Sequence, residues 1–287
     1  VKSYQIFPLL ILAFCLGSCS DDDDDAAENI DSISSYVTKI QFSYQSNDGY
    51  MRGNIVDNKF FSETYFFNGS NGNGDTSQRY FYDNGRLASY GGGFDSEMFF
   101  YDAAGKLTAI DWTDDTMTSK YQRFSYHAGN VVYDDIMSGP HTDTEATLLD
   151  RAIVEFDAHG NIAKAGYDRD FNGVMDQVNV FSFADDNLIS FQLHGGSQRS
   201  YEYSNVRNNF AVLNDNSFGK QVARLRNSFF YASENFSSLP LDSQNLTTTE
   251  VAEGSYELLR NGLYRKSVVT SAVMEGQMTI VTEFFFH

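Results

Sequence analysis

One short phrase recurs along this chain and narrows what it can fold into. An aromatic residue and an Asp lead into a tight turn with Gly, followed by a base and an aliphatic residue. It reads FYDNGRLASY at residues 81–90 and FYDAAGKLTAI at 100–110. Looser copies are SYHAGNVVY (125–133), EFDAHGNIAKA (155–165) and SFADDNLISF (182–191). The opening aromatics are Tyr82, Tyr101, Tyr126, Phe156 and Phe183, spaced between 19 residues (82 to 101) and 30 residues (126 to 156). Each copy is a strand, a turn and a strand. Gly85, Gly105, Gly129 and Gly160 sit where a tight hairpin needs a positive φ, which glycine adopts without steric cost. The aromatic before the turn and the Leu, Ile or Val after it are placed to pack across neighbouring strands.

Repetition of such a unit predicts an all-β protein, a large antiparallel meander of consecutive hairpins. So many strands cannot stay flat, because strand twist makes a wide sheet curl, close or split. The expected shape is a strongly curved sheet or a barrel-like half-pipe. Composition agrees: 25 Phe and 18 Tyr exclude disorder, and three prolines leave strands uninterrupted. Two stretches break the rhythm. SGPHTDTEATLLD (138–150) predicts a short helix, since Thr142 and Glu145 have capping-box spacing. Residues 237–255 read as a long loop or short helix before the final strands, RKSVVTSAV and QMTIVTEFFFH, which should close the sheet.

The phrase resembles the YD-repeat hairpin, aromatic-Asp-x-x-Gly-Arg/Lys-Leu. The chain is also similar to surface lipoproteins of Bacteroidetes in families of unknown function with a porin-like β fold. Stretches 201–214 and 230–241 are similar to the C-terminal part of those families. His127 and Ala184 depart from the repeat by replacing its Asp, and Ser204 does so at a later turn. The resemblance implies a fold and a location and supplies no active site.

The N-terminus carries the address. Lys2 precedes the apolar run IFPLLILAFCL (6–16), which is of signal-peptide length and too short for a bilayer span of about 20 residues. LGSC (16–19) has the form of a lipobox, so Cys19 is the expected lipidation site; Phe14 is too bulky for Cys15 to serve. Five aspartates follow at 21–25 and repel one another into a solvated tether. An acidic run placed there resembles the surface-export signal of Bacteroidetes lipoproteins. The expected organisation is a removed signal peptide at 1–18, a lipidated acidic tether at 19–35 and one all-β domain at 36–287. Its partner would be outer-membrane lipid, through the acyl chains on Cys19, with the domain facing the cell exterior. A formal charge of -19 excludes nucleic acid as a partner.

Chemistry-bearing motifs are few. YDRDFNGVMD (167–176) places Asp168, Asp170, Asn172 and Asp176 at positions 1, 3, 5 and 9 of an oxygen-rich loop. Gly173 stands at the bend, and Val174 could offer its carbonyl. That spacing suits Ca2+ as the one candidate cofactor, although Asn179 replaces the acid usual at position 12. The competing reading is a plain hairpin turn, where Asp, Asn and Gly belong anyway. Five histidines show no metal-ligand spacing, and neither H-E-x-x-H nor G-x-S-x-G occurs. Trp112, the single tryptophan, is the candidate platform for stacking a sugar, against a core role. The chain therefore reads as a lipid-anchored β-sheet module for binding glycan or protein, or for building the envelope. The alternative is a glycan hydrolase using paired carboxylates, whose separation sequence does not reveal.

Overall fold

The computed structural model describes residues 32–42, 49–67, 76–92, 95–113, 120–233, 243–273 and 276–286. Cys19, the segment read as a signal peptide and the acidic run lie outside the described residues. Strands β1 (Ile33–Phe42), β2 (Gly49–Val56), β3 (Lys59–Phe67), β4 (Thr76–Asp83) and β5 (Arg86–Gly92) open the meander. It continues through β6 (Asp95–Tyr101), β7 (Leu107–Thr113), β8 (Lys120–His127), β9 (Val131–Ser138) and β10 (Leu148–Phe156). β11 (Ile162–Tyr167), β12 (Asn179–Ala184), β13 (Asn187–Gln192) and the short β14 (Gln198–Ser200) complete the run. Each strand pairs antiparallel with the next. The last strands, β17 (Gly254–Leu258), β18 (Tyr264–Val273) and β19 (Gly276–Phe286), extend the same 17-stranded sheet from its other side, because β19 pairs with β1. The final strands add to the sheet beside β1 and do not close it as expected: among the described residues β14 and β17 are each paired on one side only. A separate two-stranded pair, β15 (Tyr203–Arg207) with β16 (Asn245–Thr247), accompanies them.

Among the described residues the turns of the repeat lie at one end of the sheet, the tight-turn end, and the longer connections 139–147 and 168–178 at the other. Asn84–Gly85, Asp57–Asn58 and Asp185–Asp186 form two-residue turns with positive φ at both positions. Longer copies use the repeat Asp as a brace. Asp102 Oδ1 accepts the Lys106 N–H at 2.9 Å, and Asp157 Oδ1 accepts the N–H groups of His159 and Asn161.

After each of these turns comes one extra residue that interrupts the ladder: Phe61, Ala88, Thr108, Ala163 and Ile189. Such bulges raise the local twist and bend the strand, so a bulge repeated at one height curls the whole sheet. The residue before each bulge is buried: Phe60, Leu87, Leu107, Ile162 and Leu188. In four cases its carbonyl accepts a tyrosine hydroxyl from a following unit. Tyr82 donates to Phe60 O (2.8 Å), Tyr101 to Leu87 O (3.0 Å), Tyr126 to Leu107 O (3.0 Å) and Tyr203 to Leu188 O (2.8 Å). The base of each turn covers the next ring: Lys59 over Tyr82, Arg86 over Tyr101 and Lys106 over Tyr126, at 4.7–5.7 Å. Burial pushes the Tyr101 and Tyr126 hydroxyls up to about 12, so they remain donors at any ordinary pH. Every element of the repeat therefore has a physical task.

The concave side is filled by a helical segment that the strand pattern did not predict. It comprises α1 (Asn209–Phe218), α2 (Lys220–Arg226) and α3 (Ser228–Ala232). Phe210 of α1 meets Tyr36 and Phe284 edge-on at 5.1 and 5.2 Å, and Phe218 meets Tyr80, Tyr90 and Phe99. One apolar cluster thereby joins strands from both halves of the sheet to the helices. Asn208 caps α1 by accepting the Ala211 N–H. Buried helices have no polar stripe to announce them; α1 buries Asn209, Ala211, Leu213, Ser217 and Phe218.

The helix expected within residues 138–150 is absent. Gly139 turns with positive φ, Asp143 Oδ1 accepts the Glu145 N–H, and the segment lies across the outer face, where Ala146 and Leu148 pack on Ala109, Tyr121 and Met137. Local Asp bonding and outer-face packing outcompete a one-turn helix. The capping box sits elsewhere, at Thr247 and Glu250 of α4 (Thr248–Glu253), within the stretch read as loop or short helix. Exposed ion pairs Lys164–Glu155 and Lys266–Glu283 stand on the outward face.

Tyr101→Phe removes only one hydroxyl of the ladder and is expected to lower unfolding free energy by about 1 kcal/mol in urea titrations. Leu107→Ala, at the cross-strand partner of Tyr101 in the same hairpin, is expected to cost about 2–5 kcal/mol. A Tyr101→Phe protein as stable as wild type would show that the bulge carbonyl does not depend on its tyrosine.

Candidate functional site

The Asp-rich loop forms at the long-connection end, between β11 and β12. Its neck is closed by the Asp176 N–H donating to Tyr167 O at 2.8 Å. Asp168 is fully buried: Oδ1 accepts the Asn172 N–H at 3.0 Å, while Oδ2 accepts the Gly173 N–H at 2.9 Å and Arg151 at 3.3 Å. Asn172 donates to Asp170, and Asp176 accepts the Arg169 N–H. One oxygen each from Asp168, Asp170 and Asp176 lies within 4.8 Å of the others, an arrangement able to take a hard cation.

Three of the five expected ligands are thus brought together. Asn172 turns its Oδ1 to the Val174 N–H, serving the loop itself, and Val174 is exposed. Asn179, at the twelfth position, points elsewhere: its amide donates to the carbonyls of Tyr231 and Ser233 and accepts from His194. Arg151 also competes for the cation's place. It bridges Asp168 to Asp135 and lies over the rings of Tyr133 and Phe171.

Trp112 is half-buried on the inner face, packed against the core cluster near the long-connection end. Its cross-strand partner on β6 is Glu97, whose own partner on β5 is Tyr90. Arg226, at the end of α2, forks onto both oxygens of Glu97 at 2.8 and 2.9 Å and lies over the Tyr90 ring at 4.8 Å. Burial works against the Arg226 charge, but the bonds and charge of Glu97 prevail and its pKa rises. Side-chain exposures of 30% and 18% leave Arg226 and Glu97 within reach of solvent. Farther along the wall a second carboxylate, Glu63, accepts the hydroxyls of Tyr36 and Tyr80. The inner face thus carries an aromatic and carboxylate belt above the apolar core. Trp112 was legible from the sequence; Glu97 and Arg226 were not, being 129 residues apart.

One histidine also gains a partner the sequence did not show. His141 Nδ1 is 2.6 Å from Asp111 Oδ2, its N–H donates to Oδ1, and its ring stacks on Phe100 at 3.7 Å. This contact pins residues 139–147 to the outer face. His127 and His159 stay at their turns, both exposed.

The protein is a curved antiparallel meander wrapped on a helical plug, with a polar aromatic belt at one mouth. No protein-family model and no curated protein matches the chain. Among solved structures it is similar to a porin-like protein from Bacteroides uniformis, at 10% identity and a TM-score of 0.38, over 89% of this chain and 98% of that one.

If the loop holds calcium in the weak extracellular range, near 1 mM, then 10 mM CaCl2 adds roughly 1.4 kcal/mol. The melting temperature should rise by about 3–6 °C over an EDTA control, and Asp170→Ala should erase the rise. Equal melting in calcium and EDTA would leave the loop a self-braced turn.

Proposed function

We propose that this protein is a lipid-anchored surface module of the outer membrane that binds glycan at the mouth of its curved sheet. The observation carrying this reading is Trp112 standing beside the Glu97–Arg226 pair. A half-buried indole offers an apolar face to the C–H side of a sugar ring. A carboxylate and a guanidinium next to it present paired acceptors and donors to neighbouring hydroxyls. Placement supports the same reading. Strand β1 begins at the tight-turn end, where the Ile33 N–H donates to Asn58 Oδ1. A chain anchored through Cys19 would hold that end towards the lipid and turn the belt outward. A calcium ion in the Asp168–Asp176 loop would brace this outward end rather than catalyse.

The second reading, a glycan hydrolase, rests on Glu63 and Glu97 sharing the inner wall. Both carboxylates are engaged, by tyrosine hydroxyls in one case and by Arg226 and Tyr90 in the other. On a glycan array, wild type should give signal that Trp112→Ala reduces at least tenfold and Glu97→Gln weakens, without product release from the bound glycan. Full binding by Trp112→Ala removes the platform, and turnover abolished by Glu97→Gln would establish the hydrolase instead.

A further inference from the structure

Asp134 stands on the inner face of β9, opposite Phe124 of β8 and Ala152 of β10. It is completely buried, as is Ser228 at the start of α3, and Gln122 of β8 is 1% exposed. The hydrogen bonds around its carboxyl are lopsided. Oδ2 accepts two donors, Gln122 Nε2 at 2.8 Å and the Ser228 hydroxyl. Oδ1 accepts none, and Gln122 Oε1 is also without a partner. A carboxylate has two equivalent acceptor oxygens and would be solvated on both; a carboxylic acid has one acceptor and one donor. The pattern is that of the acid, with Oδ2 as carbonyl and Oδ1 as hydroxyl. Gln122 Oε1 belongs to the amide whose N–H already meets Oδ2, and it too is an orphaned acceptor. A proton on Oδ1 is what both orphaned atoms lack, and a paired acid–amide contact would supply it to both.

We infer that Asp134 is a neutral carboxylic acid in the folded protein at neutral pH, and that its proton latches α3, and with it the helical plug, to the sheet wall. The surroundings agree on charge. α3 reads SFFYA and brings no ionic group. On β9 the adjacent Asp135 is taken up by Arg123 of β8 and Arg151 of β10. Desolvation drives the Asp134 carboxyl well above the ordinary carboxylate range. The negative charges of Asp135 and Asp150 add to this, against the lowering bonds from Ser228 and Gln122. The sign follows: a folded-state value above the unfolded value of about 3.9 makes the latch whole at low pH. It weakens up to about tenfold per pH unit as pH climbs from there to the raised value. Loss of the proton sets a buried anion against the Gln122 carbonyl oxygen, and the least costly relief is for α3 to leave the wall.

Asp134→Asn tests this, because its amide NH2 replaces the acid hydroxyl as donor to Gln122 while its oxygen keeps the other two bonds. At pH 7 the infrared difference between wild type and Asp134→Asn should contain the C=O band of a protonated carboxyl. Amide exchange of residues 228–232 should rise in wild type relative to the variant as pH increases from 5 to 9. No protonated-carboxyl band, or an exchange ratio constant across that range, overturns the latch and makes Asp134 a charged group bridged by buried water. Should Asp134→Asn not fold, the band is read in wild type labelled with 13C-aspartate, and a carboxyl already ionised at pH 7 gives the same refutation.

Discussion

Everything in this fold hangs on how one hairpin is joined to the next. A bulge after each turn leaves a carbonyl beside a break in the ladder, and in four places a following tyrosine hydroxyl reaches it. In three of them the base of the turn lies over that tyrosine ring. Each joint is worth little alone, about 0.5–1.5 kcal/mol for a hydrogen bond. Repeated at one end of the sheet, the joints set a common twist and spacing, and the sheet curls as a whole. The curvature is thus built from neighbour contacts, as in repeat proteins generally.

Curvature creates a concave apolar face that must be covered. The helical plug covers it with Phe210, Leu213, Phe218 and Tyr231, all part of the central cluster. Apolar packing alone would let the plug slide. Polar contacts at fixed heights give it register: Arg226 on Glu97, Ser228 on Asp134, and the Asn209 amide on Tyr264. Such contacts are costly to bury and stabilise only when satisfied. That is why the lopsided bonding of Asp134 carries chemical information.

How much of this could be read beforehand differs from residue to residue. Hairpin glycines 85, 105, 129 and 160 were legible because positive φ is a local demand, and all four adopt it. The Asp168 loop was legible as a loop, and three of its carboxylates do converge. The helical segment was not, since a helix buried on several faces shows no periodic stripe. Nor was the 139–147 segment, whose Thr142 and Glu145 fit a capping box until Asp111, 30 residues earlier, holds His141 in place.

Local chemistry in the sequence determined the repeating hairpin, the all-β class and the sense of curling, because turn type, strand preference and bulge position depend on neighbours a few residues apart. Tertiary structure alone decided what fills the curve and which side chains meet there. Arg226 on Glu97 beside Trp112, and Ser228 on Asp134 beside Gln122, are meetings across 129 and 94 residues. No local pattern encodes them, because they arise only when a wide sheet curves over a helix and excludes water from both.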